Sequence, residues 1–410
     1  MQLKDFLSSL LRNRYVSTTL LSAVFSGSYI AYKEKVRYEK IMEAFKKGAV
    51  LTPLADVSLR NLYVRRPDME AEIKKILQPQ ATGRYYIIRG EVGCGKTRTM
   101  VEIVQDMMAE AEEGTPGAPI YVHSSTGHHF VDTLAKAVHY QFDEHLSFKY
   151  MTESVLRMRS FPSQGVHDKL SRTLAILENA AILYKERYGK TLVLVLDGME
   201  RLQEHLPGAL DHLQEKAKLW ADANIVKVVF VCSDEATEAQ MQKNHSDWSR
   251  AAAPIYFQDL TRDEAVATLN IHDPKASPQR KFTDNEINHI LGIVGHKVLH
   301  LLHLRQDRQE GVPLEFSIQK LETKERTKLR FVQMTPSVLR VLKSLFQAGE
   351  QGMHLNMFET SETDNNVIKS LAAANIVRVA TKFEATNVRL ESKLTESVVK
   401  ELLQSKGIIK

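Results

Sequence analysis

The residues best suited to chemistry form a glycine-rich run, GEVGCGKT, from Gly90 to Thr97. Glycines let successive backbone N–H groups converge on phosphate oxygens, and the start of a helix adds the positive end of its dipole. In this spacing Lys96 would reach the β- and γ-phosphates of a nucleotide, and the Thr97 hydroxyl would bind Mg²⁺. The pattern therefore predicts a phosphate cradle made of Gly90, Glu91, Val92, Gly93, Cys94, Gly95, Lys96, Thr97 and Arg98.

A carboxylate follows a second apolar run farther along the chain. The residues from Leu192 to Leu196 are all apolar, and they lead into Asp197. A carboxylate at the carboxyl end of a buried strand can hold Mg²⁺ together with Thr97. The pattern therefore predicts that Asp197 is a metal ligand, with a strand-end turn residue as the alternative.

Hydrolysis needs a group that activates water, and a second carboxylate near Asp197 is the candidate. Gly198 follows Asp197 directly, and the first later carboxylate is Glu200. Glu200 would orient water for hydrolysis, or it is an ordinary acidic residue at the start of a helix. A slow ATPase used as a switch suits this pattern better than a fast motor. Because no NKxD-like guanine motif stands in the expected place, we expect ATP rather than GTP.

Apolar strands and longer helices alternate from Leu62 onward, which is typical of an α/β fold with a parallel sheet and crossover helices. We predict a P-loop three-layer sandwich with five strands, in which Asp197 lies on a strand that is not adjacent to the strand before the cradle. The predicted strands cover RYYIIRG (84–90), PIYVHSS (119–125), TLVLVLD (191–197), VKVVFVCS (226–233) and PIYFQ (254–258).

Changes in pattern divide the chain into four predicted parts. Residues 1–60 hold an N-terminal targeting or anchor helix and a charged connector, and residues 61–260 hold the P-loop core. Residues 261–321 read as a small helical lid. In residues 322–410 two helices precede two short apolar runs and a last helix, which predicts a winged-helix domain. The stretch 146–165 fits no element and reads as a loop-rich insertion.

These motifs together resemble the AAA+/STAND branch of P-loop ATPases, in the style of archaeal-type and origin-recognition-like ATPases. The resemblance covers about residues 60–320 and implies ATP and Mg²⁺ as cofactors. It implies that Arg66, in YVRRPD, lies near the base or the phosphates. It places a γ-phosphate sensor at Ser233, with a hydroxyl that satisfies a strand end as the alternative. It places an arginine finger at Arg250, with a solvated surface arginine as the alternative. An arginine finger would suggest a homo-oligomer.

The first residues carry a different signal. An amphipathic, basic start with a single acid before Glu34 is typical of mitochondrial targeting segments. The uncharged stretch 15–32 would be about 27 Å long as a helix, close to the thickness of a bilayer core. We expect a membrane anchor there, with a cleaved presequence or a soluble helix as alternatives. The favoured address is mitochondrial; the alternatives are another intracellular membrane or the cytoplasm.

Composition adds weaker constraints. A net charge of +5 permits nucleic-acid or anionic-membrane partners without requiring either. Two cysteines, Cys94 and Cys232, exclude a disulfide framework. Redox control through a lowered thiol pKa at Cys94 is a minor hypothesis. A zinc site is a similarly minor hypothesis for the four histidines His289, His296, His300 and His303.

The candidate recognition helix of the winged-helix domain, 363–371, carries Lys369 as its single cation. DNA-reading helices normally gather Arg and Lys for phosphate contact, so nucleic acid is not favoured and a protein partner is preferred. We therefore predict an ATP-binding switch. Two alternatives stay open: a membrane-tethered scaffold without turnover, and a DNA-associated ATPase.

Overall fold

In the computed structural model, the predicted apolar runs form the strands of one sheet. The structure describes residues 14–52, 63–112, 117–124, 127–140, 165–233, 235–271, 281–330, 332–354, 362–374, 376–382 and 385–409. Its described residues fall into two compact units, which are taken in turn below. The first lies within Met1–Ala55, Ala71–Arg89 and Met100–Tyr256, and the second within Asp56–Glu70, Gly90–Thr99 and Phe257–Lys410.

The sheet has six strands, in the order β1-β3-β4-β5-β2-β6. The pairs β1–β3, β3–β4, β4–β5 and β5–β2 are parallel, so the predicted α/β fold is confirmed. Strand β5 separates β4 from β2, as expected for the strand that ends at Asp197. The strands are β1 (Ala49–Leu51), β2 (Tyr86–Gly90), β3 (Ile120–His123), β4 (Leu192–Asp197), β5 (Val226–Cys232) and β6 (Ile255–Phe257).

The sixth strand corrects the prediction of five. Strand β1 lies in the stretch that we read as a charged connector, and it pairs with β3 at the edge of the sheet. Its three residues are too few to show the alternation by which a strand is recognised in a sequence. The helix before it is tied to the same core, because Ile41 and Phe45 are fully buried there.

Helices cover the sheet in the first unit. Strands β4 and β5 are buried along their whole length, which explains their continuous apolar sequence. The helices are α1 (Arg14–Lys47), α2 (Pro67–Leu77), α3 (Lys96–Glu112), α4 (Gly127–Ala137), α5 (Val166–Tyr188), α6 (Met199–His205), α7 (Ala209–Ala223), α8 (Glu235–Lys243) and α9 (His245–Trp248). The predicted insertion 146–165 lies outside the described residues, apart from Gly165.

Helix α1 contains the stretch for which we expected a membrane anchor. Across the part of the chain that the structure describes, no helix combines the length and the apolar content that crossing a bilayer needs. The expected span at 15–32 is therefore not supported. The serines, threonines and glycine in this stretch dilute its hydrophobicity, and the helix continues into the charged residues from Lys33 onward.

The second unit contains the predicted lid helices and the C-terminal elements. Thr261 and Thr283 begin two lid helices with capping boxes, in which Glu264 and Glu286 complete the exchange of hydrogen bonds. Gly295, at φ +79°, separates the second lid helix from the third. The helices are α10 (Arg262–Asn270), α11 (Asp284–Ile293), α12 (Val298–Gln309) and α13 (Leu314–Arg330).

The C-terminal part follows the expected order of two helices, a hairpin and a last helix. Its antiparallel sheet has the order β7-β9-β8, and Leu345, Leu371, Val388 and Val399 are fully buried in its core. The elements are α14 (Pro336–Ala348), β7 (Met353–His354), α15 (Glu362–Ala373), β8 (Val377–Lys382), β9 (Ala385–Leu390) and α16 (Lys393–Ser405). Its assignment as a winged helix stays a prediction.

Candidate functional site

The loop after β2 has the backbone that a phosphate cradle needs. Gly93 and Gly95 adopt φ values of +86° and +100°, in the left-handed region that favours glycine. A Cβ at Gly93 would lie 2.8 Å from Leu299 Cβ, and a Cβ at Gly90 would lie 2.7 Å from the carbonyl oxygen of Phe257. Packing therefore favours glycine at Gly90 and Gly93, and the positive φ favours glycine at Gly93 and Gly95.

Lys96 is directed into this loop. Its ammonium group donates hydrogen bonds to the carbonyl oxygens of Gly90, at 2.7 Å, and Glu91, at 2.8 Å, and the residue is 4% exposed. Thr97 and Arg98 follow in the first turn of α3, which carries no acidic residue. A buried cation at the amino end of a helix suits a phosphate anion, so these residues fit a nucleoside triphosphate.

Cys94 does not fit the redox hypothesis. Its side chain is buried, and this burial raises the pKa of the thiol, although the nearby Lys96 acts in the opposite direction. The hypothesis assumed that converging amides would lower this pKa. Because a thiol of raised pKa forms little thiolate, the structure contradicts that assumption.

Arg66 contacts the backbone of the phosphate cradle. Its guanidinium donates to the carbonyl oxygens of Cys94, Gln258 and Asp259 at 3.3, 2.8 and 3.0 Å. It also lies 3.5 Å from Glu264 Oε2 and over the ring of Phe257. Arg66 therefore contacts the backbone of the cradle. That it also lies near the base or the phosphates of a bound nucleotide stays a prediction.

Glu70, which the sequence analysis did not identify, is a buried carboxylate that contacts Arg66 and its neighbours. Glu70 accepts hydrogen bonds from the Tyr63 hydroxyl at 2.9 Å, the Arg66 backbone N–H at 2.9 Å and the Arg65 guanidinium at 3.1 Å. The Tyr63 hydroxyl is also 3.2 Å from Thr99 Oγ1, in the first turn of α3. These contacts hold the YVRRPD segment against the helix that begins at the cradle.

A second missed residue, Lys297, lies at the start of lid helix α12. Its ammonium group is 3.0 Å from Glu91 Oε2 in the cradle and forms an ion pair with Glu391. Burial acts to lower the pKa of Lys297, but the charges of Glu391 and Glu91 outweigh it and raise that pKa. In the sequence, Lys297 is a single lysine after a glycine-containing turn. The residues around it do not indicate that it pairs with Glu91 and Glu391.

In the first unit, Asp197 is the last residue of β4 and is 2% exposed. Its carboxylate accepts a hydrogen bond from the Tyr121 hydroxyl, at 2.5 Å from Oδ2. Its backbone carbonyl accepts from the Ser124 N–H at 2.8 Å. Gly198 then turns the chain at φ +76°, where a Cβ would lie 3.3 Å from the Ser124 carbonyl oxygen. The position after Asp197 therefore favours glycine over a carboxylate for reasons of backbone geometry.

The structure brings two other predicted residues together. Glu200 lies in the first turn of α6, and its Oε2 accepts the backbone N–H of Ser233 at 3.3 Å. Ser233 directly follows β5, whose Val231 pairs with Asp197. Glu200, Ser233 and Asp197 thus share the carboxyl edge of neighbouring strands.

Arg250 does not lie with Glu200, Ser233 and Asp197 at the carboxyl ends of the strands. It precedes β6, its backbone carbonyl accepts the N–H of Tyr85 at 3.1 Å, and its guanidinium pairs with Asp222 of α7. Tyr85 precedes β2, so Arg250 is at the amino ends of the strands while Asp197 is at a carboxyl end. The structure therefore does not bring Arg250 to Asp197 of its own chain, and a finger role would need a neighbouring molecule.

Three of the four lid histidines, His289, His296 and His300, have different polar neighbours. His289 Nε2 is 3.2 Å from Glu315, His296 Nδ1 is 3.0 Å from the Leu260 carbonyl oxygen, and His300 Nε2 is 4.0 Å from Glu325. Burial, followed by the charge of Lys297, lowers the pKa of His300 to about 3. Within the described ranges, no three His, Cys, Asp or Glu side chains are grouped closely enough to hold a metal.

No protein-family description matches this chain, and no curated protein matches its sequence. Several solved structures are similar to this chain. A Walker-type ATPase of Pyrococcus abyssi is 11% identical with a TM-score of 0.51, and the match covers 85% of this chain and 99% of that one. The ORC1 protein of Aeropyrum pernix, solved in complex with DNA, is 15% identical over 89% of this chain and 98% of its own, with a TM-score of 0.45. The ORC2 protein of Aeropyrum pernix, solved with ADPNP and ADP, is 14% identical over 85% and 98%, with a TM-score of 0.42.

At these identities the comparisons concern the fold, and of these three structures the Pyrococcus abyssi ATPase is similar enough to support an argument. That match extends over nearly the whole of the other chain. It agrees with the glycine-rich loop after β2 and with the parallel sheet of the first unit. The chain accordingly has the α/β fold of a Walker-type P-loop ATPase.

Proposed function

We propose that this protein binds Mg-ATP at the loop Gly90–Thr97 and hydrolyses it slowly to switch conformation. The observation that carries the proposal is the buried Lys96 ammonium, held 2.7 and 2.8 Å from two carbonyl oxygens of a loop whose glycines adopt positive φ. Neutral backbone carbonyls hold a cation less strongly than a charged phosphate does, so Lys96 can exchange them for phosphate oxygens. This exchange is the step that binding requires.

Each residue then has a distinct task. Backbone N–H groups of the cradle and Lys96 bind the phosphates, while Thr97 and Asp197 would hold the metal. Bound Mg²⁺ would neutralise charge on the β- and γ-phosphate oxygens. Ser233 would report on the γ-phosphate, and Glu200 would orient the attacking water.

The position of Glu200 supports slow turnover. Gly198 occupies the place next to Asp197, and the Glu200 carboxylate accepts the Ser233 N–H at 3.3 Å. This contact directs one carboxylate oxygen of Glu200 toward the backbone of Ser233. A base that is held elsewhere in the resting state supports a switch rather than a rapid motor.

The first test measures binding of a fluorescent ATP analogue to Lys96→Ala. Loss of a charged hydrogen bond costs about 1.5–3 kcal/mol, which corresponds to an affinity lower by roughly 10- to 100-fold. Lys136→Ala, which removes an exposed lysine of α4, is the matched control and should bind as the wild type does. Unchanged affinity of Lys96→Ala would show that the cradle does not bind the triphosphate.

A second candidate function, a scaffold that holds nucleotide without turnover, is favoured by Gly198. The φ of +76° and the close Ser124 carbonyl oxygen disfavour a carboxylate residue there. Phosphate release under multiple turnover separates the two functions. Release that is abolished by Glu200→Gln supports the ATPase, whereas nucleotide binding with no release above background supports the scaffold.

DNA is a further candidate partner, through the C-terminal elements. Helix α15 carries Lys369 as its single cation, and this residue is exposed. A protein partner suits this helix better, since phosphate contacts need several cations. Affinity for duplex DNA, measured across salt concentrations, decides: a steep fall with salt supports DNA binding, and weak binding without salt dependence opposes it.

The cellular address proposed from the sequence is mitochondrial, and it rests on the basic, acid-poor start of the chain. The first thirteen residues of that start lie outside the described residues. Imaging of a tagged full-length chain, with and without residues 1–33, tests this address. Mitochondrial signal that disappears on truncation supports it, and an unchanged distribution contradicts it.

A further inference from the structure

We infer that Tyr121 is a positioning residue that fixes the carboxylate of Asp197 for its metal ion. The inference deepens the proposed function and rests on it. Tyr121 lies in β3 and is fully buried, and Asp197 ends the neighbouring strand β4. The Tyr121 hydroxyl donates to Asp197 Oδ2 over 2.5 Å, a short contact for a hydroxyl and a carboxylate.

The register of the two strands explains how Tyr121 reaches this carboxylate. Strands β3 and β4 are parallel, with His123 opposite Asp197 and Tyr121 opposite Val195. Side chains alternate along a strand, so Tyr121 and His123 project from the same face as Asp197. A tyrosine two residues before the paired position is long enough to place its hydroxyl on the carboxylate, whereas a shorter hydroxyl side chain there would not reach it.

The backbone of Asp197 is fixed as well. Its carbonyl oxygen accepts the Ser124 N–H at 2.8 Å, and the next residue, Gly198, donates its N–H to the Val231 carbonyl oxygen at 3.1 Å. With the main chain held on both sides, the remaining freedom of Asp197 is the rotation of its side chain. The hydrogen bond from Tyr121 to Oδ2 restricts that rotation.

An uncharged hydrogen-bond donor is better suited than a cation to orient the carboxylate of Asp197. A lysine or arginine at this position would cancel the charge that attracts a divalent cation, because the pair would lie a few ångströms apart in a poorly solvated site. The phenol of Tyr121 orients the carboxylate and leaves its negative charge in place. Hydrogen bonds of this kind to metal-binding carboxylates generally affect metal affinity by about 10- to 100-fold.

The test compares Tyr121→Phe with Tyr85→Phe. Tyr85 is also fully buried in the first unit, and its hydroxyl contacts the Asp247 carbonyl oxygen and Gln214. Both variants lose a buried phenolic hydroxyl, but only Tyr121→Phe loses one that touches Asp197. Binding of Mn²⁺ to the nucleotide-loaded protein is measured by electron paramagnetic resonance, and nucleotide affinity is measured separately in the presence of EDTA.

We expect Tyr121→Phe to bind Mn²⁺ about 10-fold more weakly than the wild type while its metal-free nucleotide affinity changes less than about 2-fold. Tyr85→Phe should keep wild-type values in both measurements. Equal Mn²⁺ affinity in Tyr121→Phe and the wild type would overturn the inference. So would an equal loss of affinity with and without metal, which a general disturbance of the fold would cause.

A double-mutant cycle covers the case in which Tyr121→Phe is less stable. If Tyr121 acts through Asp197, the variant that combines Tyr121→Phe with Asp197→Asn will bind Mn²⁺ no more weakly than Asp197→Asn alone. Additive losses would contradict the inference. If the wild-type protein itself binds nucleotide without any effect of metal, the proposed function fails first, which distinguishes the two failures.

Discussion

Lys297 Nζ lies 3.0 Å from Glu91 Oε2, so the first residue before lid helix α12 is paired with the second residue of the phosphate cradle. The same ammonium group pairs with Glu391, which directly follows β9. One buried cation therefore connects the cradle, the lid and the C-terminal elements within the second unit. The Leu299 N–H also donates to the Gly93 carbonyl oxygen at 3.0 Å, which adds a backbone contact beside the ion pairs.

Replacement of Lys297 by alanine should destabilise the protein strongly. The change would leave Glu91 and Glu391 as buried carboxylates without their cation, and breaking a buried pair in this way costs about 3–5 kcal/mol. Urea unfolding of the full-length chain, followed by circular dichroism, measures the effect. Lys400→Ala removes an exposed lysine of α16 and should change stability by less than about 0.5 kcal/mol. Similar midpoints for the two variants would show that the ion pairs do not form.

Replacement of Gly93 by alanine should impair both stability and nucleotide binding. A non-glycine residue at φ +86° costs roughly 1–2 kcal/mol, and the new Cβ would meet Leu299 Cβ at 2.8 Å. Calorimetric titration with ATP and urea unfolding measure the two effects.

Gly189→Ala is the matched control for this change, because Gly189 has φ +64° and no atom lies within 4 Å of the position that a methyl group would take there. It should lose only the roughly 1–2 kcal/mol that the positive φ costs, and keep its affinity for ATP. If Gly93→Ala loses no more stability than Gly189→Ala, the steric part of the argument is wrong.

The parts of this fold that depend on residues close together in the sequence could be predicted from the sequence. Strands β4 and β5 are buried throughout, so their apolar runs are continuous and their limits fall within one residue of the prediction. The glycine-rich cradle is equally local, since its backbone conformation depends on Gly93 and Gly95 themselves. The position of Asp197 at a strand end could be predicted because it ends one of these apolar runs.

Features that depend on distant partners could not be predicted. Tyr121 is an ordinary strand residue until the register of β3 and β4 places it beside Asp197. Lys297 has partners at Glu91 and Glu391, far from it in the sequence, and no periodicity marks such a group. Strand β1 was missed for a related reason: three residues become a strand only because β3 offers an edge.

Cys94 should react slowly in the folded protein. Burial raises the pKa of its thiol, so the thiolate that attacks alkylating reagents is scarce near neutral pH. A Cys232→Ser variant leaves Cys94 as the single cysteine, and its reaction with iodoacetamide can be followed by mass spectrometry. We expect alkylation to be fast in urea and slow in buffer. Rapid alkylation of the folded variant, or a loss of ATP affinity after mild peroxide treatment, would contradict this account.

Lys227 should make the stability of the protein depend on alkaline pH. Its ammonium group is buried at the start of β5, where it donates to the carbonyl oxygens of Ile76 and Gln78 at 2.9 and 2.7 Å. Loss of solvation lowers the pKa of Lys227 to about 8, from an ordinary value of 10.5. Between these two values the unfolded chain binds more protons at this site than the folded chain, so its contribution to stability rises with pH.

The comparison of wild type with Lys227→Met isolates this contribution, because all other groups titrate equally in the two proteins. From about pH 7 to about pH 10, the wild type should gain stability relative to the variant, by at most about 3 kcal/mol and by less where solvent screens the ammonium group. Lys136→Met, at an exposed site, should follow the wild type at every pH. Urea midpoints whose difference between wild type and Lys227→Met stays constant with pH would show that Lys227 titrates at its ordinary value, because a buried amine of lowered pKa must lose its proton within this range.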